Sequence, residues 1–358
     1  MKFSLHVQTR ITDWQIIKEL EDLGYDAAWV PDTQMMWSDC YATMALAAVN
    51  TSRIRIGTGV AIAGTRIAPT TAAAIASVHA LAPGRIFLGI GTGHTAMRVM
   101  GQDPIPIEEF RDYLRVVRGM LAGEETDYTY RGRTTALKWQ DHGTGFRDID
   151  TPIPMYVAAN GPRALRTAGM YGDGLVSIFN EQKEVLDYNL KYVREGAVKA
   201  GRDLTDYHVT TLTNALVLKA GQKLTDDAVI ERAGSWVVTA LHFVYEVWRY
   251  TKNDAMVPEY MKGIWEEYSD HVEHFPVPKE KWHQVLHEGH CSYVPRGEKR
   301  FVTPAMIEGT SLVGSASEIA EKIRIAGQNG LGEVSLLPPL AHIRETARDF
   351  AQQVIPLV

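Results

Sequence analysis

The feature that most constrains the fold of this chain is a repeated alternation. A short, β-rich apolar run is followed by a longer amphipathic stretch, eight times. The predicted strands cover residues 2–7, 27–31, 54–60, 86–90, 153–159, 174–178, 207–218 and 334–337. Alternation of this kind requires parallel strands joined by helical crossovers. Eight repeats therefore predict a (β/α)8 TIM barrel rather than an open sheet, with an interruption after the seventh strand.

Two segments match the capping box that begins a helix. One runs from Thr12 to Gln15, and the other runs from Ser315 to Glu318. The first predicts a helix to about residue 23, and the second predicts a helix to about residue 328. The other predicted helices cover about 39–49, 69–80, 107–122, 162–171, 183–200 and 343–354.

Two insertions interrupt the alternation within what we expect to be a single barrel domain over 1–358. Residues 127–140 alternate around Arg131 and Gly132, which predicts a β-hairpin. The aromatic-rich segment 250–309 follows the seventh strand. Loops after barrel strands lie at the catalytic face, so this segment is predicted to form a lid or pocket wall. The alternatives are a subunit interface or simple packing on the barrel.

Composition excludes several classes of protein. Hydrophobic residues make up 45% of the 358 residues, which allows a large core, and 22% are charged. The net charge of −6 and the lack of a Lys/Arg run argue against a nucleic-acid partner. The two cysteines, Cys40 and Cys291, fit a reducing compartment. Without a signal-like N-terminus or a 20-residue apolar run, we expect a cytoplasmic protein with no membrane partner.

Three glycine-bearing segments carry the predicted chemistry. Gly89, Gly91 and Gly93 alternate at the end of the fourth strand, where they would let the backbone approach a flat ligand. They do not form the dinucleotide fingerprint, because His94 stands where that motif has its last glycine. Tight turning alone is the alternative explanation of these glycines. The glycines within residues 55–64 suggest a bulge in the third strand.

The segment 156–163, YVAANGPR, ends a strand and begins a helix. Gly161 turns the chain and Pro162 takes the first helical position. The exposed amides of the helix N-terminus, with Arg163 beside them, would bind a phosphate. An ordinary strand-to-helix joint is the alternative.

Taken together, GTGVAIAG, APTTAAAIASVHALAPGRIFLGIGTG and PMYVAANGPRALRTAGMYGDGLV resemble the bacterial-luciferase-like superfamily of flavin-dependent monooxygenases and F420-dependent reductases. Within it, the chain is most similar to methylenetetrahydromethanopterin reductase and its deazaflavin-using relatives. The resemblance covers about 1–220 and 310–358, and leaves out the aromatic-rich segment.

The resemblance implies a tricyclic cofactor at the C-terminal mouth of the barrel. Its ring would lie on the bulged strand at Gly59–Val60, where family members carry a non-proline cis peptide. Thr92, Gly93, Asn160 and Gly161 would hold the ribityl chain and phosphate. The full set of predicted cofactor-binding residues is Gly59, Val60, Ala61, Gly91, Thr92, Gly93, Ala159, Asn160, Gly161, Pro162 and Arg163.

The acid–base candidates are His6, Asp32 and His94, which follow or end strands one, two and four. A histidine can donate or accept a proton at neutral pH. A hydrogen-bonded structural histidine is the alternative in each case. The substrate pocket is predicted to include Trp37, Trp248 and Trp265.

Two departures from the deazaflavin reductases bear on the reaction. Thr33, not histidine, follows Asp32, and His94 stands where relatives often carry an acidic residue. These differences favour a monooxygenase that uses reduced FMN from a separate flavin reductase and oxidises a small, fairly apolar organic substrate. The alternatives are F420-dependent hydride transfer and, as a non-enzyme, a flavin-binding structural subunit. Relatives suggest a homo-oligomer.

The histidines at 283, 287 and 290 superficially resemble metal ligands. Gly289 is expected to end any helix there, and neither HExxH nor paired CxxC occurs. We therefore predict a solvated helix and no metal site.

Overall fold

A computed structural model describes residues 1–8, 10–140 and 144–358. The strands are β1 (Lys2–His6), β2 (Ala27–Val30), β3 (Arg55–Ile62), β4 (Ile86–Gly91), β5 (Thr126–Tyr130), β6 (Arg133–Leu137), β7 (Met155–Ala158), β8 (Gly174–Ile178), β9 (His208–Val217), β10 (Ser311–Gly314) and β11 (Glu333–Leu336). All eight predicted strands are present.

The helices follow the strands along the chain. They are α1 (Gln15–Asp22), α2 (Cys40–Val49), α3 (Ala68–Leu81), α4 (His94–Arg98), α5 (Ile107–Leu121), α6 (Pro162–Tyr171), α7 (Lys183–Lys199), α8 (Asp227–Thr251), α9 (Lys262–Glu273), α10 (Pro304–Thr310), α11 (Ala316–Gln328) and α12 (Ile343–Gln353). None of the helices in the described part of the chain has the length and apolarity that crossing a membrane requires.

The fold is a (β/α)8 barrel, as the sequence predicts. The strands run in the order β9–β11–β1–β2–β3–β4–β7–β8, and a further β8–β9 pairing closes the ring. The β1–β2, β2–β3, β3–β4, β4–β7 and β7–β8 pairs are parallel. The carboxyl ends of these neighbouring strands therefore share one edge.

Aromatic side chains fill the barrel interior. Trp29, on β2, contacts Phe87 on β4 and Tyr156 on β7, with ring centroids 4.5 Å and 5.9 Å apart. Strands β4 and β7 do not pair with β2, so these contacts cross the interior. Gly57 makes room for them, since a Cβ there would lie 2.1 Å from the Phe87 ring.

The chain divides into two compact units. The first comprises 1–98, 103–211 and 326–334. It contains six whole barrel strands, β1, β2, β3, β4, β7 and β8, together with β9 as far as Thr211 and β11 as far as Val334. The second comprises 99–102, 212–325 and 335–358. It has its own apolar core, built around α8 and α9 and including Tyr245, Tyr268 and Phe301. In this unit β10 pairs in parallel with residues 214–217 of β9.

Several local predictions can now be judged. The hairpin is confirmed as β5 and β6, with Arg131 and Gly132 both at positive φ in the turn. The Ser315–Glu318 capping box is also confirmed: Ser315 Oγ donates to Glu318 Oε2 over 2.7 Å. The Thr12 capping box is wrong. A 3-10 turn at Ile11–Asp13 comes first, and α1 begins at Gln15 with Trp14 as N-cap.

The predicted solvated helix around residues 283–290 is also wrong. A 3-10 segment ends at Gln284, and turns follow it. His287 is only 3% exposed, so it belongs to the interior of the second unit. The sequence pattern also did not reveal β10 or the helices α4, α8, α9 and α10.

Candidate active site

The three glycine-bearing turns leave the barrel side by side. Ile62 pairs with Gly91 at the end of β3 and β4, and Ile90 pairs with Val157 on β7. Because the strands are parallel, the turns after β3, β4 and β7 all lie at the C-terminal edge of the barrel. The three glycine-bearing segments therefore lie next to one another.

Strand β3 is irregular where the cofactor ring is predicted to lie. Its register against β4 shifts between Thr58 and Ala61, and the Gly59–Val60 peptide is cis. Gly59 and Val60 are partly exposed, although Thr58 and Ala61 on either side are buried. The strand therefore presents a short accessible surface within an otherwise buried barrel wall, which suits a flat ligand.

The neighbouring glycines have different roles. A Cβ at Gly89 would lie 2.3 Å from the Thr58 carbonyl oxygen, and one at Gly93 would lie 2.4 Å from Ile62 Cγ2. Barrel packing alone is enough to require glycine at both positions. At Gly89 the space where a side chain would lie is filled by the Thr58 carbonyl, so a flat ligand cannot approach the backbone there. A Cβ at Gly91 would be 3.3 Å from Val60 Cγ2 and 3.4 Å from Ala158 Cβ. Gly91 therefore lies next to the partly exposed surface of β3.

The turn after β7 leads into an open helix N-terminus. Asn160 and Gly161 are exposed, Gly161 is the N-cap of α6, and Pro162 follows it. Within the described chain, no side chain caps these amides, and a Cβ at Gly161 would meet nothing within 4 Å. The amides can therefore bind an anion. Arg163 is exposed and donates to Glu108 Oε1 over 3.0 Å.

Ala159 and Thr92 complete the predicted cofactor-binding residues. Ala159 is 4% exposed, and its backbone N–H donates to the Val176 carbonyl. Thr92 is partly buried, and its carbonyl accepts a hydrogen bond from the Ile105 backbone N–H. The ligand-binding roles of these residues stay predictions.

His6 lies inside the barrel. It is 2% exposed and stacks on Trp29, with ring centroids 5.3 Å apart and 7° between the planes. A Cβ at Gly59 would come within 2.7 Å of its imidazole ring. Burial lowers the pKa of His6 to about 3, and the opposing charge of Glu333 only partly offsets this effect. The imidazole is therefore neutral at physiological pH.

Asp32 is held by Arg66, a residue that sequence reasoning did not single out. Asp32 is 3% exposed, and Arg66 donates to its Oδ2 from the segment between β3 and α3. Arg66 also donates to Asp39 over 2.9 Å, and its guanidinium lies 5.0 Å from the centre of the Tyr41 ring. Burial raises the pKa of Asp32, and Arg66 opposes that shift. The carboxylate thus belongs to a fixed ion pair.

His94 is the most accessible of the three acid–base candidates. It is partly exposed and is the first residue of α4, directly after Gly93 at the mouth of the barrel. Its Nδ1 atom is buried. Any exchange of a proton with a bound substrate would therefore use Nε2.

A buried polar network inside the barrel was not foreseen. Glu333, 1% exposed, accepts hydrogen bonds from Trp29 Nε1 at 2.9 Å and Ser4 Oγ at 2.5 Å, and pairs with His208 Nε2 at 2.8 Å. Burial acts to raise the pKa of Glu333, but His208 and the two donors outweigh it, so the pKa is lowered. An anionic carboxylate therefore anchors the aromatic interior.

The three tryptophans predicted to line the substrate pocket do not all lie in the same unit. Trp37 is partly buried in the first unit, and its backbone N–H donates to the Thr33 carbonyl. Trp248 and Trp265 contact each other edge to face in the second unit, with centroids 5.6 Å apart. Trp248 Nε1 also donates to Asp254 over 2.8 Å. Their role in substrate binding stays a prediction.

The fold and the comparisons with known proteins define the class to which this barrel belongs, a family of oxidoreductases. The model of the luciferase-like monooxygenase family matches residues 14–333. The chain belongs to this family, which includes flavin- and F420-dependent oxidoreductases.

The similarity to individual relatives covers a shorter part of the chain than the family match does. The chain is 34% identical over 190 residues to a 5,10-methylenetetrahydromethanopterin reductase of Methanolobus tindarius, a match that covers 52% of this chain and 55% of the relative. It is 32% identical over 206 residues to an F420-dependent glucose-6-phosphate dehydrogenase of Beutenbergia cavernae, covering 52% and 58%. The chain thus matches little more than half the length of these curated relatives.

Structural similarity extends further along the chain. The coenzyme F420-dependent tetrahydromethanopterin reductase of Methanopyrus kandleri superposes with a TM-score of 0.70, covering 99% of this chain and 98% of that one. The identity is 23%, so this likeness shows the fold alone.

Proposed function

We propose that this protein is a coenzyme F420-dependent oxidoreductase that transfers a hydride between the deazaflavin and an alcohol or carbonyl substrate. The departures at Thr33 and His94 favour a reduced-FMN monooxygenase on sequence grounds. The F420-dependent relative at 32% identity supports the deazaflavin alternative instead. We therefore favour hydride transfer.

The observation that carries the proposal is the accessible surface at Gly59 and Val60, with the buried Gly91 directly beside it. It is partly exposed at Gly59 and Val60, it borders Ala158, and the turn that begins at its edge leads directly to His94. These residues fit a planar ring, because small side chains and backbone leave one face of the strand accessible. The open amides of α6 at Gly161 suit a phosphate-bearing tail.

When bound, coenzyme F420 supplies two-electron hydride chemistry that does not require oxygen. The residues of this chain supply binding, orientation and proton transfer. We assign proton transfer to Nε2 of His94, which would accept the hydroxyl proton as an alcohol is oxidised and return it in the reverse direction. His6 and Asp32 are less suited, because both are almost fully buried and Asp32 is paired with Arg66.

The proposal is tested by incubating the full-length protein with F420 and a panel of primary and secondary alcohols, and following the loss of F420 absorbance without oxygen. The parallel assay supplies reduced FMN and measures oxygen uptake. We expect turnover of F420 only. Oxygen consumption coupled to substrate oxidation, with no use of F420, would overturn the proposal in favour of the monooxygenase.

The role of His94 is tested with His94→Gln, and His274→Gln serves as a matched control because that side chain is 74% exposed. Loss of a general acid–base group costs about 10²–10⁴-fold in rate. We expect kcat to fall by at least ~10²-fold for His94→Gln, with F420 affinity kept and the control unchanged. Equal kcat values for the variant and the wild type would remove His94 from the mechanism.

A further inference from the structure

A cluster of histidines and carboxylates lies inside the second unit, and it is independent of the proposed function. Helix α8 places His242 and Glu246 one turn apart on its buried face, where they are 0% and 2% exposed. The turns after residue 284 bring in His287, 3% exposed, and His290, which is partly buried.

The three histidines converge. Among the described residues, one ring nitrogen from each of His242, His287 and His290 lies within 4.8 Å of the other two. Tetrahedral zinc with Zn–N distances of 2.0–2.1 Å holds its ligand nitrogens roughly 3.4 Å apart. The separations in the structure therefore exceed the zinc value by at most about 1.4 Å.

Two buried glutamates lie beside the imidazole rings. Glu298, 2% exposed, contacts His242 Nε2 through Oε2 at 2.9 Å, and Glu246 Oε2 lies 3.3 Å from His287 Nε2. Histidines that bind metals usually pair their second ring nitrogen with a carboxylate, which fixes the tautomer and the ring orientation. The contact with Glu298 occupies Nε2 of His242, so the other ring nitrogen, Nδ1, faces away from Glu298.

That remaining nitrogen, His242 Nδ1, is buried and makes no hydrogen bond within residues 1–8, 10–140 and 144–358. A buried polar atom without a partner is costly, and a bound ion is one arrangement that satisfies it. The ring cannot easily turn away, because Glu298 holds its other side and Tyr268 stacks at 6.5 Å between centroids.

Electrostatics also favours a cation here. Burial of a carboxylate without compensation is strongly unfavourable. Glu298 lies 4.0 Å from His271 Nε2 as well as beside His242, and burial lowers the pKa of His271, which favours its neutral form. A divalent cation bound by the three imidazoles would offset the charges of Glu246 and Glu298.

We infer that His242, His287 and His290 form a binding site for a divalent transition metal, with zinc as the expected ion. Glu298 and Glu246 would act as outer carboxylates that orient His242 and His287. Imidazole nitrogens suit zinc, and the depth of the cluster in the apolar core around Tyr268 and Phe301 indicates a structural role. The metal would fasten α8 to the segment that follows residue 284.

The test begins with the full-length protein stripped by a chelator, dialysed, and titrated with Zn²⁺. We expect one zinc per chain by mass spectrometric metal analysis, and a zinc-dependent rise in Tm. His290→Ala should weaken zinc binding at least tenfold, and His274→Ala, on an exposed residue of the same unit, should not. Stoichiometry below a tenth of an equivalent, or equal affinity for wild type and His290→Ala, overturns the inference.

A second measurement does not depend on any variant folding. X-ray absorption at the zinc edge of the loaded wild-type protein should show three imidazole nitrogens near 2.0 Å. A shell made only of oxygen, or one containing sulfur, would contradict this assignment.

Discussion

The depressed pKa of buried His6 makes a quantitative prediction about acid stability. In the unfolded chain His6 titrates near 6.5, whereas in the barrel its pKa is about 3. Between these pH values the imidazole is protonated in the unfolded state and neutral in the folded state. Stability contributed by this group is therefore complete above pH 7, and is lost as the pH falls through 6.5 toward 3.

The size of the effect follows from the linkage relation. Each pH unit inside that window costs about 1.4 kcal/mol, so a change from pH 7 to pH 5 removes ~2 kcal/mol through this one group. His6→Asn abolishes the titration. This variant also loses the stack on Trp29, so its free energy of unfolding will differ from that of the wild type at every pH. The quantity to compare is therefore the slope of the unfolding free energy with pH.

The assay is urea unfolding at pH 5, 6, 7 and 8 for wild type, His6→Asn and the exposed control His274→Asn. Wild type and control should lose ~2 kcal/mol more than His6→Asn between pH 7 and pH 5. Identical slopes for wild type and His6→Asn would refute the assignment of a neutral, buried imidazole at this position.

Three further predictions concern the barrel. Gly91→Ala should fold with stability within ~1 kcal/mol of wild type, because its Cβ meets Val60 and Ala158 at 3.3–3.4 Å, yet bind F420 at least ~10-fold more weakly in a fluorescence titration. Gly89→Ala should instead lose ~1–3 kcal/mol in urea unfolding, since its Cβ would lie 2.3 Å from a backbone oxygen; unchanged stability would contradict this. Glu333→Gln should cost ~1–3 kcal/mol in the same assay by weakening the hydrogen bonds to a buried carboxylate, and a loss below ~0.5 kcal/mol would show that the network is dispensable.

The sequence was informative where local pattern determines structure. Alternating apolar runs and amphipathic stretches located all eight barrel strands, and Pro162–Tyr171 is a helix with the predicted limits. The bulge in β3 was predictable because glycines interrupt a buried strand there. The resemblance to a known family added the cis peptide at Gly59–Val60, which composition or periodicity alone would not indicate.

Long-range pairing was not predictable in the same way. The partners of Glu333 include Ser4, 329 residues away in sequence, and Arg66 reaches Asp32 across 34 residues. Nothing in the local sequence around either carboxylate signals these contacts. A capping box likewise specifies only a local preference, and at Thr12 the chain forms a 3-10 turn instead.

The histidines of the second unit illustrate the same limit. Residues 287 and 290 suggest ligands by spacing, but His242 is 45 residues earlier than His287, on α8, so the third member of the cluster is visible only in three dimensions. The one sequence signal available was the His–x3–Glu spacing of His242 and Glu246, which places both on one helix face.

The central claim, made above as a proposal, is that the protein uses a deazaflavin bound over the accessible part of β3 at Gly59 and Val60. The most direct measurement is a competition titration, in which the purified protein binds F420 in the presence of increasing FMN. We expect F420 to bind at least ~10-fold more tightly, a difference of about 1.4 kcal/mol. Displacement of F420 by equimolar FMN would contradict the account.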